Sequence, residues 1–136
     1  MAETIGGWSL ASSVELETGE TVRYRGQIIL RQAQAYGELF LTTRRLVWIR
    51  WRFAFPFVRK LLEVPLSDIE SWSVQRAPWW RGAGFVGSRR HMVRVRTTSR
   101  TFDLLPVYSG DDADDWAEAL RTVLSDAGIA TREASP

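Results

Sequence analysis

The chain has 136 residues and a formal net charge of +2, and 45% of its residues are hydrophobic and 25% charged. This length and composition predict one folded domain with tails and exclude a disordered chain. The absence of Cys and the presence of a single His exclude a disulfide framework, a thiolate nucleophile, and metal sites built on sulfur or on pairs of His.

The first segment, MAETIGGWSLASSVEL, has an acidic residue where a secretion signal has basic ones, and it has no continuous apolar core. No apolar run of the chain reaches the roughly 18 residues that span a bilayer. We therefore expect a cytoplasmic chain. Residues 1–18 contain Trp8 and Leu10 but little periodicity, which leaves a docking arm and a free tail as alternatives.

Seven runs rich in β-branched and aromatic residues, separated by short breaks, predict seven strands. The runs are QIILRQ (27–32), GELFLTT (37–43), RLVWIRWRF (45–53), KLLEVPL (60–66), IESWSVQ (69–75), HMVRVRTT (91–98) and TFDLLPV (101–107). In the third run, apolar residues from Val47 to Phe53 alternate with Trp48 and two arginines, which predicts one buried and one partly wet face. In the sixth run, Arg94 and Arg96 share one face, which predicts a cationic rim on the sheet.

The connection PWWRGAGFVGSRR, residues 78–90, contains G-x-G-x-x-G at Gly82, Gly84 and Gly87. A dinucleotide site needs this motif between a strand and a helix. Here an alternating strand follows instead, and the HRD and DFG motifs of a kinase are both missing. We therefore interpret the glycines as a source of flexibility in a long loop.

The same connection contains two adjacent tryptophans. Trp79 and Trp80 cannot both point inward from a regular strand, so we expect one indole to be partly exposed, where it could contact a membrane interface or a partner.

The segment SGDDADDWAEALRTVLSDAG predicts the one long helix, with Ser109 as N-cap and Gly128 as the C-terminal stop. Its aspartates are favoured at the positive end of the helix dipole, and they lack the ligand spacing and the glycine of a calcium loop. An apolar stripe at helical spacing predicts the face that the sheet covers. The stripe consists of Ala113, Trp116, Ala117, Leu120, Val123, Leu124 and Ala127.

Three segments and the helix resemble the pleckstrin-homology superfold, in particular its GRAM and bacterial PH-like branch. The segments are GETVRYRG (19–26), GELFLTTRRLVWI (37–49) and EVPLSDIESWSV (63–74). The resemblance covers residues 19–128 and implies a mainly β fold: a bent, seven-stranded antiparallel sheet or barrel, capped by a C-terminal helix around Trp116. Residues 1–18 are then an arm, and residues 129–136 read as a mobile tail.

The same resemblance implies which residues of the second segment are structural. Leu39, Leu41, Leu46 and Val47 would face the barrel interior. Thr42 and Thr43 would stabilise a tight turn through their hydroxyl groups, and Arg45 would be structural. The helix would close one end of the barrel and leave the loops of the other end exposed.

In this superfold the open end is where anionic headgroups bind, when they bind. The resemblance places the loops 31–37, 53–60 and 98–101 there, which brings basic residues together. Phe55 and Phe57 around Pro56 suit a bilayer interface, although they could equally fill the barrel mouth. With the tryptophans of 78–90, the predicted lipid- or partner-binding residues are Arg31, Arg52, Phe55, Phe57, Arg59, Lys60, Trp79, Trp80, Arg81 and Arg100.

Charge distribution supports an anionic partner. Residues 20–106 carry sixteen Arg or Lys and six Asp or Glu, and the two ends are acidic. This asymmetry fits phosphate, nucleic acid or a lipid surface, or neutralisation by the chain's own ends. The close Lys and Arg spacing of a phosphoinositide signature is missing from the first two strands, where only Arg31 is available, so we expect diffuse attraction.

The sequence therefore predicts a non-enzymatic module that docks on anionic membrane surfaces, with phospholipid or phosphoinositide headgroups, at the inner face of the membrane. The alternative is a protein-interaction module that uses a sheet edge and the aromatic loops. Single-stranded nucleic-acid binding ranks below both because no RNP-like or small-barrel motif is present. Nucleotide binding, a metal and a cofactor are not expected, and no nucleophile, base and oxyanion group can be assembled into an active site.

Overall fold

A computed structural model describes residues 4–5, 14–33, 35–50, 61–76, 91–106, 113–129 and 132–133. Within these ranges the chain forms ten strands and one α-helix. The strands are β1 (Thr4–Ile5), β2 (Val14–Glu15), β3 (Val22–Leu30), β4 (Ala35–Thr42), β5 (Arg45–Arg50), β6 (Leu61–Pro65), β7 (Ile69–Arg76), β8 (His91–Thr97), β9 (Thr101–Pro106) and β10 (Arg132–Glu133), and the helix is α1 (Ala113–Asp126).

The seven predicted strands are confirmed as β3 to β9, all paired antiparallel. They form one sheet in the order β10-β7-β8-β9-β3-β4-β5-β6. The long strand β3 lies in the middle, because its last three residues, Ile28 to Leu30, pair with β9 while its whole length pairs with β4. A 3-10 turn at Leu66–Asp68 joins β6 to β7, which lie far apart in the strand order.

The two halves of the sheet share one core, which requires the sheet to be strongly bent. Leu39 and Trp48 from the first half belong to the same buried cluster as Val95 and Leu104 from the second half. The space left between them is an apolar cavity of only about 10 Å³. This cavity is too small to hold a ligand.

Helix α1 closes this core with the predicted stripe. Trp116 is 1% exposed and packs edge to face on Tyr24 of β3, with ring centroids 4.6 Å apart. The stripe is buried from Ala113 to Leu124, but Ala127 is exposed. Its assignment to the stripe was wrong because the helix ends at Asp126, so the helical period no longer applies.

The end of α1 confirms Gly128 as the stop. Gly128 has φ = 69°, in the left-handed region that glycine adopts without strain. Its N–H donates to the carbonyl of Ser125 at 3.0 Å, and the N–H of Ile129 donates to that of Leu124 at 3.0 Å, a Schellman motif. Ile129 packs against the core. The predicted N-cap, Ser109, lies outside the described residues.

A second apolar cluster lies on the outer face of β4 and β5. It contains Leu16, Phe40, Val47 and Ile49. Val47 was therefore wrongly predicted to face the barrel interior, where Trp48 lies instead. Of the partly wet face predicted for this strand, Arg50 is half-buried as predicted, whereas Trp48 is buried. The face of Val47 and Ile49 is covered by Leu16, which precedes β3 and packs on the outside of the sheet.

Three two-residue strands were not predicted. Within the segment read as an arm, β1 and β2 pair antiparallel. Within the segment read as a tail, β10 pairs parallel with β7 at Ser71 and Trp72. Strands this short carry no periodicity that a sequence pattern could show.

Candidate functional site

Two segments that carry the fold resemblance meet in a buried ion pair. The Glu20 side chain is 0% exposed and that of Arg45 16%, with 2.9 Å between Arg45 Nε and a carboxylate oxygen of Glu20. The Thr42 hydroxyl donates to Glu20 at 2.6 Å and accepts the N–H groups of Arg44 and Arg45. Arg45 is therefore structural, as predicted.

This ion pair stabilises the fold, because both side chains find their hydrogen-bond partners within the chain. Burial by itself raises the pKa of Glu20, but hydrogen bonds from Arg45, Thr42 and the N–H of Glu17 outweigh it and leave that pKa below its usual value of 4.5. The hydrogen bond to Glu20 raises the pKa of Arg45. Arg45 also donates to the carbonyl of Glu15 at 2.9 Å, which attaches the segment before β3 to the sheet.

The candidate binding surface lies at the turn between β8 and β9. Thr97 and Arg100 close this turn, since the N–H of Thr97 donates to the carbonyl of Arg100 at 2.8 Å. The Thr97 hydroxyl accepts the N–H groups of Ser99 and Arg100 at 3.4 and 3.0 Å. These amides are already bonded within the turn, so charge recognition here depends on side chains.

Four side chains, which we call the hairpin arginines, surround this end of the sheet: Arg31, Arg94, Arg96 and Arg100. Asp103 lies among them and is 1% exposed. It accepts Arg94 Nε at 2.7 Å and Arg31 Nη1 at 3.2 Å, and its hydrogen bond raises the pKa of Arg94. Asp103 thereby joins β8 and β9 to the residue that follows β3.

Arg96 and Arg100 remain available. Both are exposed, and neither has an ion-pair partner in the described part of the chain. Arg31 pairs with Asp103 but keeps 49% of its side chain exposed. The acidic Asp68 and Glu70 lie near this end, beside Ile69, which pairs with Thr97. They form no ion pair with the hairpin arginines.

The structure describes two of the ten predicted binding residues, Arg31 and Arg100, and places both at this end. The remaining eight lie outside the described residues: Arg52, Phe55, Phe57, Arg59, Lys60, Trp79, Trp80 and Arg81. Arg76 and His91, which flank 77–90, pair with each other at the end of β8 opposite Thr97. The predicted set omitted Arg94 and Arg96, although their alternation with valines had indicated a cationic rim.

Among the described residues, no helix is long and apolar enough to cross a membrane. No group of three or more His, Cys, Asp or Glu side chains in these ranges could hold a metal ion.

Comparisons with known proteins identify the fold through structure. No protein-family model and no curated protein sequence matches the chain. The hSac2 domain of the human phosphoinositide phosphatase Sac2 is similar over 89% of this chain and 80% of that one, with a TM-score of 0.63 and 15% identity. The Vps36 N-terminal PH domain is similar over 92% and 93%, with a TM-score of 0.61 and 18% identity.

A bacterial protein supports the same assignment. A DUF1696 protein with a pleckstrin-homology domain from Shewanella loihica is similar over 79% of this chain and 82% of that one, with a TM-score of 0.54 and 12% identity. At such identities a structural likeness establishes the fold alone. The chain therefore has the pleckstrin-homology-like fold that its sequence resembles.

Proposed function

We propose that this chain is a non-enzymatic PH-like binding module that docks on anionic membrane surfaces through the hairpin arginines. The observation that carries the proposal is the imbalance around Asp103. Two guanidinium groups, those of Arg31 and Arg94, pair with the one buried carboxylate, and the exposed Arg96 and Arg100 near them have no ion-pair partner within the described ranges. A basic surface with so little internal compensation suits a partner that supplies negative charge.

The expected binding is weak and depends on salt. Each cation close to an anionic leaflet contributes about 1 kcal/mol. Arg96 and Arg100 can contribute fully, whereas Arg31 and Arg94 share their charge with Asp103. Additional contacts from the phenylalanines and basic residues predicted in 51–60 belong to the proposal, because Arg50, which precedes this segment, pairs with Gly37 near the end of β3 that carries Arg31. Trp79, Trp80 and Arg81 stay predicted binding residues, but Arg76 and His91, which flank their segment, lie at the end of β8 away from the hairpin.

The type of lipid follows from the same geometry. The amides of Ser99 and Arg100 are bonded within the β8–β9 turn, so these two groups are not offered to a headgroup. Diffuse attraction to phospholipid or phosphoinositide surfaces fits better than stereospecific recognition.

Support for a phosphoinositide-containing surface comes from the structural likeness to a domain of a phosphoinositide phosphatase. We place the chain at the cytoplasmic face of the membrane, and we propose the GRAM-type branch as its family.

Protein interaction at a sheet edge is the second candidate. It is favoured by β10, which adds a strand to the edge of β7 and shows that this edge accepts an extended segment. A similar structure is the complex of PDZ-RhoGEF DH/PH domains with RhoA, in which the likeness covers 31% of the matched chain.

Vesicle sedimentation tests the membrane proposal. Full-length protein is mixed with neutral phosphatidylcholine vesicles and with vesicles that contain phosphatidylserine, at low and physiological salt. We expect binding to the anionic vesicles only, weaker at the higher salt. Arg96→Gln with Arg100→Gln removes two exposed charges and should reduce this binding about tenfold or more.

The matched control is Arg23→Gln with Arg25→Gln. It removes the same charge near the beginning of β3, away from the hairpin, and should retain most of the binding. Thermal melting confirms that both variants fold. Equal loss in both variants would contradict a localised site, and binding that ignores salt or lipid charge would contradict the membrane proposal.

A further inference from the structure

The structure contains a second surface feature, at the opposite end of β3 from the hairpin arginines. Along a strand that rises about 3.3 Å per residue, Arg23 and Arg31 are separated by about 25 Å. An open groove of about 400 Å³, which Arg23 helps to line, lies between β3 and α1. We call it the helix groove. Its volume is within the usual range of ligand sites.

The floor of the helix groove is apolar and firmly held. Tyr24, Ala119 and Val123 line it, and all three pack against or belong to the main core. Tyr24 is fixed from below by the edge-to-face contact with Trp116. A floor of this kind can cover the aliphatic part of a side chain without rearrangement.

The helix wall of the groove follows from helical spacing. Asp115, Glu118 and Thr122 recur at three- and four-residue intervals, so they lie along one face of α1 and line the groove. The Thr122 hydroxyl is bonded to the carbonyl of Glu118 at 3.0 Å. The polar groups that this wall offers to a ligand are therefore the two carboxylates.

Among the charged side chains around the groove, one carboxylate is left without an ion-pair partner in the described part of the chain. Arg23 pairs with Asp126 at 3.2 Å, and Arg121 pairs with Glu118 at 2.6 Å. Asp115 is exposed and has no ion-pair partner in the described part of the chain. Arg23 lines the groove as well, but its guanidinium is held at Asp126, which lies eleven residues or about 16 Å along the helix axis from Asp115.

We propose that the helix groove binds one Arg or Lys side chain of a partner protein. The aliphatic stem would lie on Tyr24, Ala119 and Val123, and the cationic head would lie between Asp115 and Glu118. Charge complementarity decides the chemistry, because one added cation neutralises the surplus carboxylate. The site is separate from the hairpin arginines, so a membrane-docked molecule could hold a protein at its other end.

A fragment titration tests the groove without knowledge of the partner. Full-length, ¹⁵N-labelled protein is titrated with N-acetyl-arginine amide, and with N-acetyl-norleucine amide as a probe of similar stem but without charge. We expect saturable NMR shifts of the amides of Arg23, Asp115, Glu118 and Thr122 with the arginine probe only. The indole N–H of Trp116, which has no acceptor among the described residues, offers an additional signal beneath the groove.

Variants make the assignment specific. Asp115→Asn with Glu118→Gln should weaken binding of the arginine probe about tenfold, which corresponds to the loss of two partly exposed charge pairs. Asp68→Asn with Glu70→Gln removes the same charge from the beginning of β7 and should leave the affinity unchanged, as should Arg96→Gln with Arg100→Gln. Equal response to both probes, equal weakening in the two acidic variants, or shifts that do not saturate would overturn the proposal.

Discussion

At the scale of single residues, the Glu20–Arg45 pair explains why the segments 19–26 and 37–49, which resemble the pleckstrin-homology superfold, occur together. Neither side chain has a complete set of partners within its own segment. Glu20 comes from the turn before β3, while Arg45 and Thr42 come from the turn between β4 and β5. A buried charge that loses its partner is costly, so the two segments depend on each other.

This pair predicts a pH dependence of stability. The pKa of Glu20 is lowered in the folded chain, so its contribution is fully present above the unfolded value of 4.5 and is lost as the pH falls below it. Glu20→Gln should reduce the free energy of unfolding by about 3 kcal/mol at pH 7. The difference from the parent should become smaller at pH 3. Urea unfolding at both pH values measures it, and a difference that is independent of pH would contradict the assignment.

At the scale of elements, patterns within one segment were predictable and contacts between distant segments were not. The stripe of α1 from Ala113 to Leu124 and the stop at Gly128 follow from local periodicity and from backbone conformation, and both are confirmed. The second cluster could not be predicted, because it depends on where Leu16 lies after folding. Arg31 and Arg100 were placed at one end only through the family resemblance, and the central role of Asp103 was missed because its partners are far apart in the sequence.

Gly37 is a single position at which the sequence does not reveal the contact made with a distant segment. A Cβ atom there would lie 2.5 Å from the carbonyl oxygen of Ile49 and 2.6 Å from the ring of Trp48. The indole of Trp48 crosses this glycine to donate to the carbonyl of Ile28 at 3.2 Å. A glycine within a strand indicates a close approach, but the sequence alone does not identify the group that approaches.

The segment before β3 carries the element-scale prediction. Leu16 is buried against Phe40, Val47 and Ile49, so Leu16→Ala should reduce the free energy of unfolding by about 2 kcal/mol or more. Thr18→Ala, at an exposed position of the same segment, is the control and should have little effect. Chemical unfolding measures both. If Leu16→Ala unfolds like the parent, this segment does not stabilise the sheet.

At the scale of the whole molecule, charge is separated along β3. The hairpin arginines lie at one end, and the acidic residues of α1 line the helix groove at the other, about 25 Å away along the strand. At physiological salt, charges interact over about 8 Å, whereas at 0.01 M salt they interact over about 30 Å. The two ends should therefore act independently under the first condition and influence each other under the second.

This separation distinguishes a localised membrane contact from attraction of the whole chain. Asp114→Asn with Asp115→Asn raises the net charge by two at the helix end. If docking takes place through the hairpin arginines, affinity for phosphatidylserine vesicles should change little at physiological salt, because the altered charges lie beyond the screening distance. At 0.01 M salt the same variant should bind more tightly than the parent. Vesicle sedimentation at the two salt concentrations provides the comparison, with melting curves to verify folding. An equal gain in affinity under both conditions would mean that the helix end itself contacts the lipid, and the orientation proposed here would then be wrong.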